Sequence, residues 1–419
     1  MAEVLPLQAL HYDLDKVGSL GEVVAPPYDV IDGEQREQLV ARSPHNVVEL
    51  DLPRDPEGDD PYEHSAALLA KWTEEGILTR DSEPQIWALE QDYTAPDGSR
   101  LTRRGFLARV KLAPYGEGIR PHERTQPGPK EDRLRLTRAT RHNLSPIFAL
   151  HPGNAWPHLE PALGGEPWGE VTDEDGTTHR VWRIGDPDVH EAVAAELEPG
   201  ELLIADGHHR YETSLAYQRE VGPGSDADYV LMALVSLEDP GLTVFPTHRL
   251  LQARPGDPDA RETTIRDAIA GIFDVEQVPV ADLDPAGTDG VGVFGFMESR
   301  YERCFRLRLQ DTGRLDEVFA DHSEAYRTLD AAILEELVLK GIAGMTTDDI
   351  AAKRGIGYTP HIGEVFKKLT SGDYQAGFVL RATPVDQVRA VAAAGETMPP
   401  KSTYFFPKLL TGIAFNPLG

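Results

Sequence analysis

The chain has 419 residues with 40% hydrophobic side chains, which excludes global disorder and leaves room for two or three domains with their own cores. Its 70 acidic and 41 basic side chains give a formal charge of −29, so the average surface repels nucleic acid and anionic membranes. The single cysteine, Cys304, excludes an intramolecular disulfide, and without a basic-then-apolar leader or a run of about 20 apolar residues the expected location is the cytoplasm.

Short strands and helices open the chain, punctuated by Pro26-Pro27 and Pro44, with an acidic loop expected at Asp55–Asp60 and a helix at Ser65–Gly76. Pro84–Asp92 and Gly105–Leu112 read as strands joined through the turn chemistry of residues 95–99. A polar stretch, Pro121–Pro129, leads to the arginine-rich Lys130–His142, expected as an exposed helix. Residues 152–176, rich in Gly, Pro and acids, are the expected insertion or domain edge. The spacing then predicts a helix at 188–197, a strand at 201–205, a helix at 210–220 and a strand at Tyr229–Leu237, together a parallel crossover unit. Further on come helices at Thr263–Ile272, 328–341 and 360–370, a strand holding Cys304 as a packed thiol, and a strand at Gln375–Ala382. The result is a mixed α/β chain in three segments: 1–150, 151–250 with the strand-turn-helix, and 251–419 with a docked tail.

Residues 201–217 concentrate the chemistry. An apolar strand stops at Asp206-Gly207 and passes through His208, His209 and Arg210 into an amphipathic helix. Such a junction directs backbone N–H groups and the helix dipole at one point, which suits an anion. Gly207 allows close approach, Arg210 offers a planar fork of donors, the two histidines donate or carry protons, and Asp206 can take a metal or a hydroxyl proton. The plainer reading is a turn in which Asp206 caps the helix. A zinc site would need distant ligands such as His248 or Asp321.

Four other motifs carry weight. In Pro-Pro-Tyr-Asp-Val-Ile, 26–31, two prolines present Tyr28 and Asp29 rigidly, for binding or for a capped turn. Asn46-Val-Val-Glu-Leu-Asp alternates, which predicts Glu49 and Asp51 on one strand face, able to bind magnesium or accept a proton. His122, Glu123, Arg124 and Thr125 lie in a loop before Lys130, Arg133 and Arg135, suited to a second anionic group or to a subunit contact in a homodimer. Met398 to Lys408 combines stiffening prolines, two lysines and an aromatic cluster, with Lys401 and Ser402 expected to face the anion site. The glycines at 290–295 match a dinucleotide fingerprint as a string only, since no recognisable helix follows them.

Taken together, the motifs at 26–31, 122–125, 205–213 and 398–408 resemble the family of unknown function DUF 1015 across nearly the whole chain, which implies a bacterial or archaeal, cytosolic protein and no established reaction. The turn at 206–210 is similar to that of the free-serine kinases of the ParB/sulfiredoxin superfamily, over Gly207, His208 and Arg210 with their flanking strand and helix. That likeness implies a ParB/sulfiredoxin-like phosphate-binding core with added N- and C-terminal regions. It also implies nucleotide phosphates held at this loop and a separate acidic base, for which Glu49, Asp51 and Asp29 are candidates.

The expected activity is therefore a kinase moving a phosphoryl group from ATP or ADP, with Mg2+, to a small hydroxylated metabolite such as serine. Asp206, His208, His209 and Glu49 are its catalytic candidates, with Asp206 also the metal ligand. Gly207, Arg210, Lys401 and Ser402 would bind the nucleotide, and Tyr28, Asp29, His122, Glu123 and Arg124 the substrate. The alternatives are a phosphatase at the same site and a nucleotide-sensing or DNA-associated module, with direct nucleic-acid contact opposed by the net charge.

Overall fold

The computed structural model describes residues 2–54, 58, 60–95, 98–123, 127–252, 268–299 and 303–419, with backbone alone at 127–129. Arg124 and most of the helix expected at 263–272 lie outside the described residues, as do parts of the loop at 55–60 and the turn at 95–99. Two compact units are formed: Met1–Pro121 with Thr125–Thr243 and Pro407–Gly419, and Val244–Phe406 with His122–Arg124. Both are mixed α/β. Among the described residues no helix is long and apolar enough to cross a membrane.

The first unit is organised by a nine-stranded sheet. From edge to edge run Ile119–Arg120, Leu202–Asp206, Ile147–His151, Tyr229–Ser236, Arg100–Lys111, Ile86–Thr94, Thr178–Ile184 and Gly169–Thr172, and Val4–Leu5 adds to Arg100–Lys111. Alternation decides which face is core: Phe106, Ala108 and Val110 share one cluster with Met232, Leu234, Leu202 and Ile204. Residues from 1–150 and from 151–250 thus contribute strands to a single sheet. A second cluster packs Leu39 of the helix Gly33–Arg42 and Leu69 and Trp72 of the helix Pro61–Glu74 against Tyr12, Val48 and Leu50.

Three expectations are corrected here. Leu202–Asp206 and Tyr229–Ser236 are not paired as a crossover: both flank Ile147–His151, the first antiparallel to it and the second parallel. The short apolar run at 147–151, buried at every position, inserts between them and takes the hydrogen bonds a crossover would have used. Glu49 and Asp51 do not share a strand face. Asn46 accepts from the Val48 N–H at 3.1 Å and starts the helical turn Val48–Asp51, which sends Glu49 to Arg36 at 3.5 Å and Asp51 to Arg133 at 3.1 Å. The arginine-rich helix, Pro127–Thr140, is not simply exposed, because Arg133, Leu134 and Leu136 are buried.

The second unit has an all-antiparallel six-stranded sheet in the order Phe273–Val278, Arg303–Leu309, Val293–Glu298, Ala376–Val379, His248–Leu251 and Ile356–Thr359. Gly290 and Gly292, both at positive φ, lead into Val293–Glu298, whose next strand returns antiparallel. A strand rather than a helix follows this glycine string, so it is no dinucleotide loop. Cys304 is buried in Arg303–Leu309, as its alternating context predicts. The helix expected at 328–341 is α-helical over Asp330–Ile333 and π-helical over Leu334–Lys340.

Candidate functional site

Four apolar residues, Leu202 to Ala205, bury the strand, and the chain turns where Asp206 interrupts them. Gly207 takes φ +93° and ψ 27°, a left-handed conformation that places it at the N-cap of the helix His208–Val221. A side chain there would put its Cβ 2.9–3.0 Å from the Arg210 guanidinium. Glycine therefore serves two purposes, the backbone reversal and the space into which Arg210 folds. The first helical bond runs from the Tyr211 N–H to the Gly207 carbonyl, and the Tyr211 hydroxyl, donating to the Ala113 carbonyl at 2.7 Å, pins the helix start.

Arg210 and Lys408 divide the Asp206 carboxylate between them. Arg210 Nη2 donates to Oδ2 at 2.9 Å and Lys408 Nζ to Oδ1 at 3.3 Å, while Arg210 Nη1 donates to the Pro146 carbonyl. All three side chains are at least half-buried. Charge-assisted bonds in such surroundings are stronger than at an open surface. Lys130 pairs with Glu212 at 2.7 Å one turn along the same helix.

A second layer of charge lies behind this turn. Arg133 Nη1 donates to the Asp51 carbonyl at 2.7 Å and to its carboxylate at 3.1 Å, Arg133 Nε donates to Asp132 at 2.8 Å, and the guanidinium carbon stands 4.2 Å from the Tyr28 ring centre. Burial pushes the Asp51 carboxyl above the ordinary carboxylate range, and the Arg133 and Arg210 charges pull it back. Burial and then Asp29 push the Tyr28 phenol up to about 12, against Arg210 and Arg133. Arg210 thus belongs electrostatically to both layers. A cavity of about 30 Å3, bordered by Asp51, Arg133, Asn143, Ser145, Arg210 and Ser214, has room for only one or two waters.

The sequence candidates are accordingly divided. Tyr28, Asp206, Gly207, His208, His209 and Arg210 belong to the first unit, as do an exposed Asp29 and the half-buried Glu49, which sits with Arg36. His122, Glu123, Lys401 and Ser402 belong to the second, where residues 122–123 meet the segment 398–403. There the Met398 N–H donates to the His122 carbonyl at 2.7 Å, His122 Nε2 lies 2.8 Å from Thr403 Oγ1, and Ser402 Oγ donates to the Pro399 carbonyl at 2.7 Å. Lys401 holds φ +59°, unusual for a residue with a side chain.

Sequence reasoning passed over one residue of this site and named another only within a group. Lys408, the second lysine of the C-terminal motif, is the one on Asp206; Pro407 begins the segment that joins the first unit, a detail of chain path with no local signal. Arg133 was named with Lys130 and Arg135 as suited to a second anionic group; its burial beside Leu134 and Leu136 was not read. Among the described residues no three His, Cys, Asp or Glu side chains are grouped to hold a metal ion.

The family described as "Protein of unknown function (DUF1015)" matches residues 4–332. No curated protein matches the sequence. Solved structures offer distant likenesses. A conserved hypothetical protein from Pyrococcus furiosus aligns over 74% of this chain and 94% of its own at 14% identity and a TM-score of 0.38. A free serine kinase in complex with AMP aligns over 74% and 91% at 14% and 0.38. SbnI with C-terminal truncation from Staphylococcus aureus aligns over 73% and 85% at 10% and 0.36. Scores this low add no weight to any functional reading, which has to stand on the residues.

Proposed function

The chain belongs to the DUF1015 family, and from the turn at Asp206 we propose that it is a phosphoryl-transfer enzyme, a nucleotide-dependent kinase acting on a small hydroxylated metabolite. The observation that supports this reading is the meeting of a left-handed glycine, a helix N-terminus and two cations on one carboxylate. Phosphoryl transfer demands chiefly positioning and charge neutralisation. Arg210 and Lys408 neutralise phosphate oxygens once they are shared between Asp206 and the incoming group. The first turn of the helix His208–Val221 presents its positive end to the same point.

Asp206 accepts the proton of the acceptor hydroxyl, and His209, half-buried on the first turn, carries protons to or from the acceptor. Tyr28 and Asp29 border the acceptor side, through the same electrostatic neighbourhood as Arg210. Glu49 is kept as the alternative base. A single carboxylate suits magnesium arriving with a nucleotide better than a protein-caged ion, since Mg2+ is ordinarily held by one or two carboxylates together with phosphates and water. With such an ion bound, Asp206 would be its protein ligand, the ion would supply further neutralisation of phosphate charge, and the base role would pass to Glu49.

Phosphorus NMR with ATP or ADP, Mg2+ and a pool of hydroxylated metabolites that includes serine tests the reading. A new phosphomonoester signal is expected, reduced about 10–100-fold in Arg210→Ala, the effect of losing one or two charge-assisted bonds. Inorganic phosphate as the only product would make water the acceptor. Nucleotide binding without turnover would point to a sensor, and equal turnover in Arg210→Ala would sink the phosphate site.

A further inference from the structure

Arg103 is fully buried in the strand Arg100–Lys111, directly opposite Gln91 of Ile86–Thr94. Its guanidinium is gripped from one side only. Nε and Nη2 donate to Gln91 Oε1 at 2.9 and 2.5 Å, and the guanidinium carbon stands 4.6 Å from the Phe148 ring centre. Nη1 has no hydrogen-bond partner, and no ion pair to a carboxylate accompanies the group among the described residues. Asp239 acts on the group only through space, and a buried charge without an ion-pair contact is expensive, to which an orphaned buried donor adds.

The grip itself is complete. The Gln91 amide nitrogen donates to the Lys408 carbonyl at 3.1 Å and to His179 Nδ1 at 3.1 Å, and His179 Nε2 lies 2.8 Å from Asp173 Oδ2. Donation from Gln91 leaves Nδ1 as acceptor and Nε2–H as donor to Asp173, so the tautomer is fixed. Asp173, His179 and Gln91 form a satisfied chain whose end is an arginine with an unmet edge. Such a pattern belongs to a preorganised binding group rather than to a structural ion pair.

Two links attach Arg103 to the Asp206 turn. Phe148, beneath the guanidinium, is the strand partner of Asp206, and Lys408, whose carbonyl takes a Gln91 bond, sets its ammonium on the Asp206 carboxylate. We propose that Arg103 binds an anionic group, carboxylate or phosphate, of the ligand held at the Asp206 turn, with Gln91, His179 and Asp173 as positioning residues. The ligand class is then a hydroxylated metabolite or nucleotide with an oxyanion presented to Arg103 Nη1. Burial lowers the Arg103 pKa to about 9, with Tyr93 and Asp239 opposing, so the group remains cationic at neutral pH. This inference rests on the reading of the Asp206 turn as an anion site.

The test is the thermal midpoint of the full chain with ADP, inorganic phosphate or glycolate, in wild type, Arg103→Met, Arg103→Lys and Arg210→Met. Glycolate reports a carboxylate subsite and inorganic phosphate a phosphate one. At least one of these two anions is expected to raise the wild-type midpoint, with affinity at least tenfold weaker in Arg103→Met. Without ligand, Arg103→Met removes a buried charge but leaves Gln91 Oε1 without its donors, so its midpoint is expected to stay close to that of wild type.

An unchanged anion response in Arg103→Met, or no response of wild type to either anion, would overturn the proposal. If Arg103→Met does not fold, Arg103→Lys decides: wild-type anion affinity without the planar fork overturns it, and a tenfold loss supports it. An ADP response that disappears in Arg210→Met while anion binding survives in Arg103→Met removes Arg103 and leaves the phosphate site standing. An ADP response that survives Arg210→Met removes the phosphate site itself.

Discussion

In the first unit Asp206 meets Arg210 and Lys408, and Asp51 meets Arg133, so the motif residues are joined by full charges. In the second, the bonds described between residues 122–123 and 398–406 include neutral ones: a backbone N–H to the His122 carbonyl, a threonine hydroxyl beside His122, a serine hydroxyl on a proline carbonyl. The two constructions respond differently to a ligand. Paired charges redistribute when another anion arrives, because lysine and arginine have several donors and can serve two acceptors. A neutral bond to a backbone carbonyl has nothing to redistribute, and its effect is to hold a chain path.

The contrast breaks first at Asp51. Asp51→Ala leaves Arg133 buried beside Asp132 alone, and removing one partner of a buried pair costs about 3–5 kcal/mol. Urea denaturation measures it. A loss under about 1 kcal/mol would mean that Asp132 satisfies Arg133 and that the second layer of charge is dispensable.

The second unit answers to pH at His248, a buried imidazole whose Nδ1 accepts from the Leu380 N–H at 3.2 Å. Burial, then Arg249 and His361, hold its pKa down at about 4, so the folded imidazole stays neutral where the unfolded one, at about 6.5, takes a proton. Stability from this residue is complete above pH 6.5 and is lost as pH falls toward 4, roughly 3 kcal/mol over that span. Burial also pushes His142 and His151 of the first unit down, so acid destabilises both units. His248→Gln is expected to remove only its own share of the slope between pH 7 and 4.5 in urea titrations. An unaltered slope would place the acid sensitivity elsewhere.

Much of the site was legible because its signal is local. Asp206, Gly207 and Arg210 lie within five residues, and an apolar strand running into a helix fixes where they point. The strand-like runs at 84–92 and 105–112, with turn chemistry between them, likewise gave the hairpin, which pairs antiparallel between residues 87–94 and 100–107. What was not legible depends on distant chain. Nothing near 201–237 says that Ile147–His151 will separate its two strands, and a period of two at 47–51 cannot compete with the Asn46 side chain holding the Val48 N–H at a helical turn. Arg103 reads as an ordinary strand arginine until Gln91, Phe148 and the Lys408 carbonyl converge on it from three other segments.

The finest discrimination is between the two lysines of the C-terminal motif, seven residues apart and alike in sequence context. Lys408 sets its ammonium on Asp206, whereas Lys401 is distinguished by a left-handed backbone. If the charged construction is what binds phosphate, Lys408→Met weakens ADP binding about tenfold, some 1.4 kcal/mol, while Lys401→Met leaves it within about twofold. Isothermal titration of both variants measures this. Equal losses would mean that Lys401 also serves the nucleotide and that the neutral construction around it is part of the binding site; a loss confined to Lys401 would reverse the assignment and leave the Asp206–Lys408 pair a purely structural bond.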